Sequence, residues 1–136
     1  MLNLNTRFGR HVNRRFREEQ IIWLTTVAAG KTPQPRPGWF HWDAETVLIF
    51  SQRDKAKLPH ITANPRVALN FNTDQEGGGV AILIGAARIL DKEPTPNRLQ
   101  AYLRKYAEGI KSLDMSTAGF RESYSAVSDH PSTVEL

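Results

Sequence analysis

The stretch Val47–Asn70, VLIFSQRDKAKLPHITANPRVALN, decides how the rest of the chain is read. Val47-Leu48-Ile49-Phe50 is a short apolar run with β-branched and aromatic residues, which predicts a buried strand. Ser51 opens a polar turn that carries Arg53, Lys55 and Lys57. Leu58 and Ile61 then fall on one face of a short helix. Asn64-Pro65 stops that helix, because a residue before proline is pushed out of the helical region. Val67–Phe71 predicts a second strand. The junction combines a strand end, a hydroxyl and two lysines set two apart around a helix start. Helix-terminal N–H groups favour an anion and lysines add positive charge. Two readings stay open from these residues alone: a phosphate site and a solvated basic turn.

At 136 residues the chain predicts one domain, 1–136, long enough to bury a core. No stretch reaches the ~18–20 apolar residues that a membrane span needs. The charged and polar start predicts no secretory signal, and a cytoplasmic setting follows as the expectation. Without cysteine, disulfides, thiolate metal sites and a cysteine nucleophile are excluded. The net charge of +4 is uneven: the first 66 residues hold 11 of the 18 Lys and Arg but 5 of the 14 Asp and Glu. Nucleic acid is one conceivable partner for such a surface. No aromatic-interleaved basic motif supports it, so nucleic-acid binding is the lesser expectation.

Working outward, Phe8, Val12 and Phe16 repeat every four residues among arginines and predict an amphipathic N-terminal helix of about 10–13 residues. Ile21–Val27 is a continuous apolar run, read as a strand buried on both sides. Ala29-Gly30-Lys31 supplies a turn. Pro33, Pro35 and Pro37 alternate through the next segment, which must be an edge or irregular, since proline cannot donate to a ladder. Trp39–Asp43 resumes as strand, and Asp43–Thr46 turns it into a hairpin with Val47–Phe50 as the central strand. Asn72–Gly79 is a hairpin loop; it lacks GxGxxG and a following Gly-Lys-Ser/Thr, so it is no phosphate loop. Val80–Leu90 is the longest apolar run, and Gly85 within it predicts a bulge or a close approach. Leu99, Tyr102, Leu103, Tyr106 and Ile110 define one face of a helix after Pro96, with the two tyrosines as packing residues. A short helix over Ser116–Glu122 and a weak final strand over Tyr124–Leu136 complete the reading.

The four histidines show no metal-ligand spacing, and neither HExxH nor GxSxG is present. His41, in an apolar strand, reads as a hydrogen-bonded structural histidine. No set of side chains performs acid–base or nucleophilic chemistry alone, so an enzymatic reading places the reaction on a cofactor.

WLTTV at 23–27, TPQP at 32–35, WFHWD at 39–43, FSQRDKAKL at 50–58 and NPRVALNF at 64–71 occur in one order. Together they resemble the pyridoxamine-phosphate-oxidase-like split-barrel family, and within it the deazaflavin (F420)-dependent oxidoreductase branch. AYLRKYAEGI at 101–110 resembles that branch too, so the likeness spans about residues 7–125. The resemblance implies a mainly β fold with flanking helices, a six-stranded antiparallel split β-barrel. It implies a homodimer with two cofactor sites at the interface, F420 as cofactor with FMN as the alternative, and a small conjugated acceptor as substrate. Ser51 and Gln52 match positions that line the cofactor; Lys55 and Lys57 match the pair that grips its phosphate. The ring system would lie against Gln34–Trp39, which brings in Arg36, Pro37 and Trp39, with the partner's Val80–Arg88 region closing the pocket. Arg36 stands where relatives carry a hydrophobic residue; it either adds an anion contact or points to solvent. A non-catalytic flavin carrier is the rival within the same fold.

Overall fold

Each strand of this chain is short, so its burial is decided by which neighbours the ladder gives it. The computed structural model describes residues 3–44, 46–52, 57–89, 96–112 and 124–129, with the backbone alone at 50–52, 57–58, 112 and 124–129. The order is α1 (Arg7–Glu18), β1 (Ile22–Val27), β2 (Pro33–Gly38), β3 (Phe40–Trp42), β4 (Val47–Gln52), α2 (Lys57–Ala63), β5 (Arg66–Asn70), β6 (Ile82–Ile89), α3 (Pro96–Lys105), α4 (Ala107–Ser112) and β7 (Tyr124–Asp129). All pairings are antiparallel and run β2-β1-β5-β6-β7-β4-β3. The two end strands, β2 and β3, are joined through the single residue Trp39. The ladder is therefore rolled until its ends approach. Among the described residues seven strands stand where six were expected, because the chain turns at Trp39 and divides what would be one long strand between two partners.

β4 is buried on both faces, as its apolar run predicts. Val47 and Ile49 join the main core with Val12, Phe16, Phe40, Phe71 and Leu83, whereas Leu48 joins Leu99, Tyr102, Tyr106 and Ile110 beneath α3 and α4. It is not the central strand, lying between β7 and edge strand β3. β1 corrects the expectation of two-sided burial: Ile22, Leu24 and Thr26 are buried while Trp23, Thr25 and Val27 are half-buried. An antiparallel strand with helices on one side only needs one dry face. β6 alternates in the same way, with Leu83 and Ala87 inward and Ile82 and Ile84 outward at 55% and 41% exposure. Gly85 makes no bulge; the register runs unbroken from Ile84 opposite Ala68 to Ala86 opposite Arg66.

β2 is an edge strand, and its prolines explain how. Only Gln34, Arg36 and Gly38 can donate N–H groups to β1, so Pro33, Pro35 and Pro37 face the open edge. That edge offers no donors to any further strand. The turn before it places Lys31, not Gly30, in the left-handed region at φ 65°. The loop 72–79 is a hairpin connection, closed by the Asp74 carboxylate accepting from Glu76 and Gly78 N–H at 2.9 and 2.7 Å. Arg15 braces it, donating to Gly79 O at 2.6 Å and to Asn72 O. The predicted C-terminal helix at 116–122, Lys55 and residues 130–136 lie outside the described residues; within them, β7 forms between β6 and β4.

α1 carries the expected stripe with one exception. Thr6 caps it, its hydroxyl accepting from Gly9 N–H at 2.9 Å, and Val12 and Phe16 are buried. Phe8 is 43% exposed, and the buried position of the first turn is taken by Gly9, which lies against the Asn3 backbone. Phe16 stacks on Trp42 at 4.2 Å and meets Phe71 and Phe40 edge-on at 5.0 and 6.0 Å. Phe16→Ala should cost about 3–5 kcal/mol in urea unfolding, whereas Phe8→Ala should cost under about 1 kcal/mol. Equal losses would mean that α1 packs differently.

Candidate functional site

Of the residues expected at a site, Arg36 and Pro37 lie on β2, Trp39 at the β2–β3 seam, Ser51 and Gln52 at the end of β4, and Lys57 at the start of α2. The register shows what brings them together. Phe40 pairs with Ile49, and β4 then continues to Gln52 with β7 on one side only. On its other side the chain has left through Trp39 to pair with β1. Gly38 still borders β4: a methyl group there would sit 3.9 Å from Ile49 Cγ2. Among the described residues β4 has no pairing on this side past Ile49, and this unpaired stretch, the split, has Arg36-Pro37 of β2 and Ser51-Gln52 of β4 on either side of Trp39 in the ladder order. The donor-free edge of β2 keeps the split from zipping shut.

The Arg36 side chain stays on its own strand, donating to Pro35 O at 2.8 Å and Gln34 Oε1 at 3.4 Å. It is exposed and gives the β2 flank a positive charge without crossing to β4. Trp39 is half-buried, its indole parallel to the Tyr106 ring at 4.7 Å and 6°. His41 is half-buried; burial lowers its pKa, against Asp43, which raises it, and with Arg98 and Lys105, which lower it further. His60 carries a side-chain contact of the structural kind, its Nδ1 lying 3.2 Å from Thr26 Oγ1.

The seam is tied down by residues that the sequence marked only as packing. Phe40 opens edge strand β3, so its N–H and C=O have no strand on that side. The Tyr106 hydroxyl takes both roles: it accepts from Phe40 N–H at 2.9 Å and lies 3.0 Å from Phe40 O and 2.8 Å from Gln20 O as donor. Burial pushes the phenol's pKa up, so it stays protonated. Lys105 adds a second hold, donating to Phe40 O at 3.2 Å with its ammonium 3.6 Å from the Phe40 ring centroid. The helical periodicity placed Tyr106 in the core, and a buried tyrosine needs a partner for its hydroxyl. Nothing in the spacing pointed to Lys105.

A rolled antiparallel ladder with helices over its open faces defines a small mainly β class of domain. Residues 8–134 match the family model for pyridoxamine 5'-phosphate oxidase, and the chain belongs to that family. No curated protein matches it. Among solved structures it is similar to an F420 reductase, at 23% identity over 85% of this chain and 89% of that one, with a TM-score of 0.56. It is similar to an FAD-binding protein from Mesorhizobium loti, at 15% identity over 93% and 89%, with a TM-score of 0.66. It is also similar to HutZ, a heme storage protein from Vibrio cholerae, at 14% identity over 93% and 89%, with a TM-score of 0.67. At such identities the likeness is one of fold. The neighbours carry different ligands on it.

Burial lowers the Lys105 pKa to about 8, with Glu19 opposing. The unfolded chain keeps the ordinary lysine value, so between the two it binds the extra proton and stability rises with pH. From about pH 7 to about pH 10 the urea midpoint of the parent should therefore climb relative to that of Lys105→Met. A constant gap between the two would place the ammonium in water.

Proposed function

We propose that this protein is a homodimeric oxidoreductase that binds F420 in the split, with FMN as the alternative cofactor, and reduces a small conjugated acceptor. The observation that carries the reading is the split itself, with the expected cofactor residues on its two flanks and Trp39 at its apex. The side-chain types suit an anionic cofactor with a flat ring. Lys55 and Lys57 bring charge for a phosphate, Ser51 a hydroxyl, Gln52 an amide, and Trp39 and Pro37 apolar surface for the ring. When bound, F420 supplies the hydride. The chain's part is to hold the phosphate, fix the ring against the Trp39 side and exclude water. The F420 reductase neighbour supports this choice over FAD or heme by its identity, the highest of the three compared.

The second subunit is motivated by the outer face of the sheet. Pro35, Thr25, Ala68 and Ile84 form one cross-strand row, and Pro37, Trp23, Asn70 and Ile82 the next. Val80, Ile82 and Ile84 are all more than 40% exposed, an apolar stripe that a partner would cover. Ile84→Asp should convert the dimer to a monomer by sedimentation. A monomeric parent at micromolar concentration would remove the shared-site arrangement.

Titration with F420 and, separately, FMN tests the cofactor directly. F420 should bind, and Lys57→Ala should weaken it about 10–100-fold, the range for one charge-assisted phosphate contact. FMN binding alone would keep the site and change the redox partner; binding of neither would refute the proposal.

A further inference from the structure

α3 and α4 meet at Tyr106, whose N–H donates to Tyr102 O at 3.2 Å and whose carbonyl accepts from Ile110 N–H at 2.9 Å, so the helical path continues through the junction as the periodicity predicts. The residues around the junction are arranged about Trp39. Tyr106 gives the indole a parallel surface, and its hydroxyl is anchored to both polar groups of Phe40, the next residue in the chain. Gly109 lies against the benzo edge of the same indole: a methyl group there would come within 2.7 and 2.8 Å of Trp39 Cζ2 and Cη2. Real side-chain carbons do not approach so closely, so any larger residue must move either the indole or α4. Gly109 has no need of a left-handed backbone, its φ being outside that range. Its place in a helix costs stability relative to alanine. The close approach of Trp39 is the reason glycine is there.

We infer that Tyr106 and Gly109 are positioning residues that seat the Trp39 indole at the apex of the split, making the α3–α4 junction the rigid support of the cofactor pocket. The seat is a matter of this chain's own packing; its bearing on the pocket rests on the cofactor reading of Trp39 proposed above. One ring face and one ring edge are fixed by α3–α4, and the backbone is fixed at Phe40. An indole held at three points presents a constant wall, and a preformed wall binds a flat ring without the cost of ordering it. Displacing the indole by one methyl group would change that wall while leaving the phosphate-gripping lysines untouched.

The test has two arms on the full chain. In the first, 5-fluorotryptophan labelling gives one fluorine resonance for each of the three tryptophans, with Trp39→Phe assigning that of Trp39. Gly109→Ala should shift the Trp39 resonance and leave those of Trp23 and Trp42 in place. An unmoved Trp39 resonance, or all three shifting together, would overturn the seat. In the second arm, Gly109→Ala should weaken binding of the parent's cofactor, F420 or FMN, by about tenfold in the parent but by less than about twofold in the Trp39→Phe background, where the smaller ring leaves room. Equal weakening in both backgrounds would show that Gly109 acts on the fold generally and overturn the positioning role. If Gly109→Ala alone fails to fold, the Gly109→Ala/Trp39→Phe pair should restore folding, and its failure to do so counts against the seat. A parent that binds neither cofactor would defeat the cofactor reading instead, and the fluorine spectrum would then decide the seat by itself.

Discussion

The Tyr106 hydroxyl at the Phe40 peptide is the contact on which the arrangement depends. β3 is only three residues long and lies at the end of the ladder, so one side of its backbone has no strand to pair with. A phenol hydroxyl replaces that strand, and in the same stroke reaches Gln20 between α1 and β1. Three parts of the chain far apart in sequence meet at one buried oxygen. Losing it would leave the buried Phe40 N–H without a partner, which costs more than one ordinary hydrogen bond is worth. The Lys105 ammonium strengthens the same point while being held in a setting that disfavours its charge.

What the contact supports is a discontinuity. A fully closed ladder would pair β2 with β4, and the chain prevents this in two ways. The prolines of β2 leave its outer edge without donors, and the turn at Trp39 sends β2 to β1. The neighbours' names point to F420, FAD and heme, so one fold is shared by proteins with different ligands.

Much of the fold was legible because local signals agreed with it. The run at Val47–Ile49, the stop at Asn64-Pro65, the alternating prolines and the period of Leu99, Tyr102, Tyr106 and Ile110 all have one mechanical meaning each. Ile21–Val27 misled because a continuous apolar run looks the same whether its second face is dry or half-covered; only the ladder's neighbours decide. Phe8 misled because period alone does not say which turns of a helix find a surface to pack on. Arg36, Pro37, Trp39, Ser51 and Gln52 were expected through the family resemblance and not through any spacing of their own. Their support was not expected. Gly109 and Lys105 matter through contacts made across more than sixty residues of chain, and no spacing encodes such contacts.

The most direct measurement is a crystal structure of the protein with whichever of F420 and FMN it binds more tightly. The account predicts the ring in the split, against Trp39 and between the Arg36-Pro37 and Ser51-Gln52 flanks, with the phosphate near Lys57. A ring bound elsewhere, for example along α1, with Trp39 still stacked on Tyr106 and the split empty of ligand, would contradict it.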